Sequence, residues 1–118
     1  MTMKYMILIH TNLSLWESLP KAEVDRALGN HAKMIEETKA SGELVRVEGL
    51  AFDRTYVEFR NGVPAVTDGP FGEVKEQVAG LFLIDVENLD RAVAISGPLA
   101  EYGVVEIRPV MEEAGAEM

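Results

Sequence analysis

The chain contains no cysteine. Disulfides, thiolate metal sites and thiol nucleophiles are excluded on that ground alone. Positive charge is scarce as well: 11 Lys and Arg face 20 Asp and Glu, for a net charge of −9. A nucleic-acid binder needs a basic footprint, and an anionic membrane surface would repel this chain. Any acidic ligand would need a local positive site against that field. Long apolar runs are missing. The opening run from Tyr5 to Ile9 ends at His10, too short for a secretory signal, and nothing reaches transmembrane length. The expectation is a cytoplasmic protein. There is no phosphate-binding loop, because Gly69-Pro70-Phe71-Gly72 lacks the lysine and following helix that such a loop requires. No serine-centred nucleophile elbow is present. The two histidines, His10 and His31, show no ligand spacing with carboxylates. No metal and no cofactor are expected.

What is present is one domain's worth of chain. At 118 residues, 47% of them hydrophobic, it can bury roughly two-thirds of its unfolded surface without covalent staples. Residues 1–110 form the expected domain, and 111–118 an acidic, Gly/Ala-rich tail expected to fray.

Along the chain, Lys4 to His10 reads as a strand with two apolar faces: Tyr5, Ile7 and Ile9 on one, Met6 and Leu8 on the other. Thr11 to Leu19 reads as a loop in which Trp16 covers an end of the core. Pro20 to Ser41 reads as a helix. Val24, Leu28, His31, Ile35 and Thr38 fall at helical spacing on one inward face, and Gly42 is the expected stop. Leu44 to Leu50 and Thr55 to Arg60 read as a pair of strands joined near Phe52-Asp53-Arg54. Asn61-Gly62 is a hairpin turn signal, so Val63 to Thr67 returns as a short strand. Ala79 to Val86 is the central strand, apolar on both faces. Asn88 caps a second helix, Leu89 to Ser96, which Gly97-Pro98 interrupts. Val104 to Val110 is the last strand. The order reduces to a split βαβ, ferredoxin-like α+β pattern with an antiparallel sheet and an extra hairpin strand.

Asp68-Gly69-Pro70-Phe71-Gly72-Glu73-Val74-Lys75-Glu76 stands apart, because its residue types are not chosen for packing. Proline at position 70 forces an extended passage. Asp68 sits at the corner, where a carboxylate ordinarily accepts backbone N–H groups just downstream. Pro70 has none to give, which leaves Phe71 and Gly72 as the nearest donors. If they do not use it, the carboxylate is free for chemistry. Glu73, Lys75 and Glu76 flank the turn as a solvated charged run.

This stretch, followed by Gly80-Leu81-Phe82-Leu83-Ile84-Asp85-Val86, Leu89-Asp90 and the closing Val104-Val105-Glu106-Ile107-Arg108-Pro109-Val110, resembles the DGPF-domain branch of the YCII-related proteins. The opening Met3-Lys4-Tyr5-Met6-Ile7-Leu8-Ile9 is similar to that family's first strand. The resemblance covers nearly the whole chain and implies a ferredoxin-like fold that pairs into a dimeric α+β barrel. It implies a His/Asp pair as the suspected chemical group, and Asp68 matches the aspartate of the motif. The residues argue for a dimer independently. Two strands are apolar on both faces and two helices cover only one face of a sheet, so the other face calls for a second copy, or else for cover by the loop around Trp16 and the tail.

His31 on the inward face of the first helix is either a core histidine or an acid/base in a cleft, with a pKa suited to work near neutrality. His31 with Asp68 would make a dyad in which the carboxylate fixes the imidazole tautomer. His10, near the end of the first strand, competes for that role. Arg46 and Glu48 share one face of the second strand; Glu106 and Arg108 share the face of the last strand opposite Val105 and Ile107. Arg46, Arg108 and Phe71 are the candidate ligand contacts, and the arginines serve equally as interface ion pairs.

Two readings follow. In one, the protein is a cofactor-independent enzyme or binder for a small carbonyl compound or organic anion. In the other it is a non-catalytic ligand-sensing or interaction module, a role the resemblance links to sigma-factor-type regulators of transcription.

Overall fold

The structure, a computed structural model, describes residues 1–67 and 76–111. Strand β1 (Met3–Asn12) leads into a short helix α1 (Leu13–Ser18), then a long helix α2 (Lys21–Ser41). Strands β2 (Leu44–Gly49), β3 (Tyr56–Arg60), β4 (Val63–Thr67) and β5 (Glu76–Val86) follow. Helix α3 (Leu89–Ser96), a 3-10 turn (Gly97–Ala100) and strand β6 (Gly103–Pro109) close the chain. One sheet has the order β2-β5-β1-β6, every pairing antiparallel; β3 and β4 form a separate two-stranded hairpin. The fold is α+β, and the four-stranded sheet has the strand order of the split βαβ unit.

The elements follow from local chemistry. Asn12 caps α1, its side-chain oxygen accepting from the Leu15 N–H at 3.0 Å, and Asn88 caps α3 through the Arg91 N–H at 2.9 Å; each satisfies an N–H that the first helical turn leaves free. Gly42 ends α2 at φ +81°, a left-handed conformation open to glycine. Asn61 (φ +53°) and Gly62 (φ +81°) supply the two positive φ values of the tight turn between β3 and β4.

The core lies between one face of the sheet and the helices. Tyr5, Ile7 and Ile9 of β1 and Phe82, Ile84 and Val86 of β5 are all buried, joined by Met34 of α2, Ala92 and Ile95 of α3, and Leu99. Val105 and Ile107 pack against this cluster, while Glu106 and Arg108 stand exposed. The other sheet face carries the half-buried Met6, Leu8, Leu81 and Leu83. Glu43, just past α2, receives two bonds from Arg91 of α3, both 2.8 Å, and one from the Ser41 hydroxyl at 2.6 Å. That clamp ties the end of α2 to α3.

Several expectations change. Trp16 lies in a helix, not a loop, because the Asn12 cap starts α1 directly off the strand. Strands β2 and β3 do not pair: β2 joins β5 in the main sheet, and β3 bonds only to β4. The deepest positions of α2 are Ala27, Met34 and Thr38, so the inward face is turned away from Leu28, which is 54% exposed. The central strand begins at Glu76, three residues before the apolar run. Asp68, Phe71, Glu73 and Lys75 lie outside the described residues, as does most of the expected tail. Among the described residues no helix is long and apolar enough to cross a membrane.

Two outcomes test these contacts. A methyl group on Gly103 would overlap the His10 carbonyl oxygen on the adjacent strand. Gly103→Ala should cost about 2 kcal/mol or more, read as a lower thermal midpoint at fixed protein concentration. The Arg91 guanidinium and the Ser41 hydroxyl hold the Glu43 carboxyl down from 4.5 to about 2. The stabilisation from that clamp is therefore complete above the unfolded value of 4.5 and is lost as pH falls through the folded one. Glu43→Gln should lower stability by about 1 kcal/mol at neutral pH and flatten the acid loss below pH 4.5, measured by denaturant melts across that range.

Candidate functional site

The site forms where α2 crosses one end of the sheet. The residues there are small: Gly49 on β2, and Ala79 and Gly80 on β5. Gly80 suits a close approach, since a Cβ on it would sit 3.0 Å from the Glu48 carbonyl oxygen. The β1–β5 register also slips here, with Ile9 opposite Gly80 but His10 opposite Val78. A bulge of this kind bends a strand and re-aims its side chains. Small residues and a bulge together leave a cleft of about 310 Å³.

Its wall is mostly apolar. Ile9, Leu28, Ile35, Val47, Phe52 and Phe82 line it, with His31, Thr11, Trp16 and Glu48 as the polar or polar-tipped contributors. Among the described residues no lysine or arginine lines it. His31 also borders a smaller cavity of about 40 Å³, shared with Ile9, Thr11 and Trp16, on whose far side stand His10, Glu101 and Tyr102. His31 thus borders both spaces, as do Ile9, Thr11 and Trp16.

His31 makes no hydrogen bond among the described residues. Its nearest ring neighbour is Phe82, 6.0 Å between centroids and tilted by 38°. Burial pushes its pKa below 6.5, because the charged form loses hydration and gains no partner. At neutral pH the ring is uncharged, with one donor and one acceptor nitrogen both available.

His10 is placed differently. Its Nε2 lies 3.0 Å from Glu106 Oε1 on the neighbouring strand. The other face of the small cavity is fixed by a charged cluster. Arg26 on α2 meets Glu101 at 2.5 Å and Glu23 at 2.6 Å, and donates to the Tyr102 hydroxyl at 2.8 Å. Tyr102 in turn donates to Glu23. That bond and the Arg26 guanidinium hold the Glu23 carboxyl below its usual range, and the Glu23 oxygen raises the Tyr102 hydroxyl.

Of the residues singled out in the sequence, His31 stands in the cleft. Asp68 and Phe71 lie outside the described residues. Arg46 and Arg108 stand at opposite edges of the sheet, on the face away from the helices, where the register aligns Arg46 with Leu83, Leu83 with Met6, and Met6 with Arg108. Arg46 pairs with Glu48 at 2.6 Å. Thr11, Trp16, Phe52 and Tyr102 were not singled out as site residues. Gly80 inside an apolar strand was the available signal, since such a glycine marks a bulge or a close approach. Among the described residues no group of three or more His, Asp and Glu side chains converges to hold a metal.

These facts separate a site histidine from a structural one. Because burial lowers its pKa, the unfolded chain takes the proton first as pH falls. The His31 contribution is thus complete above 6.5 and is lost as pH falls through the folded value. His31→Phe should leave stability at neutral pH unchanged or raised, and reduce the loss below pH 6.5. A loss of about 1 kcal/mol or more at neutral pH would mark a structural hydrogen bond instead. Thermal melts of both proteins across that range decide it.

The family model of the YCII-related domain matches residues 3–114. An uncharacterized protein of Rhizobium meliloti (strain 1021) is 30% identical over 114 residues, 92% of this chain and 92% of that one. The chain belongs to the YCII-related domain family.

Proposed function

We propose that the cleft between α2 and the sheet takes a small, uncharged and largely apolar carbonyl compound, and that His31 is its acid/base group. One observation carries this reading: a half-buried, neutral imidazole without a hydrogen-bond partner among the described residues, on the wall of an apolar cleft of about 310 Å³. A few convergent polar groups in an apolar pocket are the usual form of a small-molecule site. Among the described residues the lining has no lysine or arginine, which favours a neutral carbonyl compound over the organic anion that the sequence also allowed.

The chemistry suited to such a group is proton transfer beside a carbonyl. His31 removes a proton from the carbon next to the carbonyl, and the electron pair of that C–H bond forms the enolate. In a β,γ-unsaturated carbonyl compound the resulting dienolate takes the proton back from His31 at the γ-carbon and the C=C bond shifts into conjugation, an isomerisation with no cofactor. Thr11 and Trp16 on the same wall carry an O–H and an N–H that suit a carbonyl oxygen. Asp68, which follows β4 by one residue, is the proposed carboxylate partner of His31 on the strength of the sequence motif.

The same reading includes a homodimer through the outer sheet face. That face has two adjacent rows, Arg46–Leu83–Met6–Arg108 and Glu48–Leu81–Leu8–Glu106. A two-fold axis lying between the rows, in the plane of the interface, brings each basic-ended row of one copy over an acidic-ended row of the other. The apolar centres then meet and the charged ends alternate in sign.

The test is binding and turnover with a panel of small aldehydes, ketones and enones. Wild type should bind members of the panel, and exchange of their α-protons with deuterated solvent should fall at least about a hundredfold in His31→Ala, as for loss of a general base. Binding without exchange would favour the ligand-sensing reading. No binding would remove the proposal.

A further inference from the structure

The β3–β4 hairpin has two faces of opposite character. Its register sets Val57 opposite Val66 and Phe59 opposite Pro64, and residues two apart on a strand share a face. These four side chains make one wholly apolar face. It is open to solvent: Val57 is 64% exposed, Phe59 76% and Val66 64%. The opposite face mixes Tyr56, Glu58, Arg60 and Thr67 with Ala65 and Val63; there Arg60 pairs with Glu58 and the Arg54 guanidinium lies 5.9 Å from the centre of the Tyr56 ring. One face of the hairpin thus makes polar contacts of its own, and the other has no cover among the described residues.

A lone two-stranded hairpin is at best marginal in water. This one holds a tight turn and five register pairs, so a packing surface for its dry face is the missing contribution. The hairpin also reaches away from the body. The molecule measures 49 × 46 × 18 Å with a radius of gyration of 16.7 Å, against about 13.5 Å for a compact chain of this length.

We propose that the β3–β4 hairpin is an intersubunit clasp, whose Val57–Phe59–Pro64–Val66 face seats on a second copy of this chain and thereby fixes the mouth of the His31 cleft. The occupant follows from the outer sheet face, whose alternating rows complement a second copy of themselves. In a closed two-fold pair both arms are exchanged at once, so neither is left exposed. The link to the site lies in the root of the arm. Phe52 lines the His31 cleft, and Arg54 and Tyr56 border an open groove of about 700 Å³ together with His10 and Val78 of the sheet. The returning strand ends at Thr67, the residue before Asp68. Seating the arm therefore sets the position of the segment that carries Phe52 into the cleft. The inference rests on the sheet-face pairing proposed above and adds a contact that this pairing does not require.

The absence of native cysteine gives a clean test. Phe59→Cys, labelled with a benzophenone maleimide and irradiated, should yield a covalent dimer on a denaturing gel, with the crosslinked peptides mapping to a second copy. Crosslinks confined to the same chain would overturn the clasp. In sedimentation equilibrium, Phe59→Glu should weaken dimerisation by about tenfold or more, and Leu83→Glu at the sheet centre should weaken it further. An unchanged dimerisation constant in Phe59→Glu overturns the clasp and leaves the sheet pairing standing, and a monomeric wild type removes both. Carbonyl binding to the Phe59→Glu protein reads the cleft separately. Affinity should drop together with dimerisation, and an affinity unaltered when the dimer is lost would overturn the link between arm and site while leaving the cleft itself in place.

Discussion

The antiparallel pairing of β1 with β5, from Met3 opposite Val86 to Asn12 opposite Glu76, is the constraint on which the rest depends. It sets Tyr5, Ile7 and Ile9 beside Ile84, Phe82 and Gly80 on the helix side, and Met6 and Leu8 beside Leu83 and Leu81 on the other. Because the side-chain period of a strand is two, slipping this register by one residue would exchange the faces entirely. The inner face buries a core that neither helix could form alone. The outer face is left apolar at its centre and charged at its ends.

The cleft is a consequence of the same pairing, at the end where it becomes irregular. The bulge after Ile9, with Ala79 and Gly80 facing the neighbouring backbone, removes side-chain volume where α2 would otherwise pack closely. Phe82, one step further into the sheet, is buried and closes the floor. His31 stands over that floor without a partner among the described residues. A polar ring is held in an apolar wall at some cost in stability, a pattern typical of sites that act on ligands.

Much of this was legible in the residues. Alternation in Tyr5–Ile9 and Phe82–Val86 gave both central strands and their two-sided character, Asn61-Gly62 the hairpin, Asn88 and Gly42 the helix boundaries. The placement of His31 on a helix turned toward the sheet also followed from spacing. Other features depend on tertiary geometry. Leu28 and Ala27 are neighbours on the helix, and only packing against the sheet selects Ala27 as the buried one, because a small residue lets α2 approach. Trp16 belongs to a six-residue helix that is too short to show a period. Whether β3 pairs with β2 or only with β4 depends on the connection from Leu50 to Thr55, which has no turn signal of its own. Arg46 and Arg108 look alike to His31 as charged strand residues, and their location across the sheet from it emerges only once the strands are in order.

The central claim is that the His31 cleft is built for a ligand and not for packing. The most direct measurement is a crystal structure of the protein soaked with small carbonyl fragments. The account expects a fragment seated against Phe82 and Phe52, with its carbonyl oxygen or α-carbon in contact with the His31 ring. A cleft closed by the chain's own side chains, with His31 hydrogen-bonded to a backbone group and fragments bound only elsewhere, would contradict it.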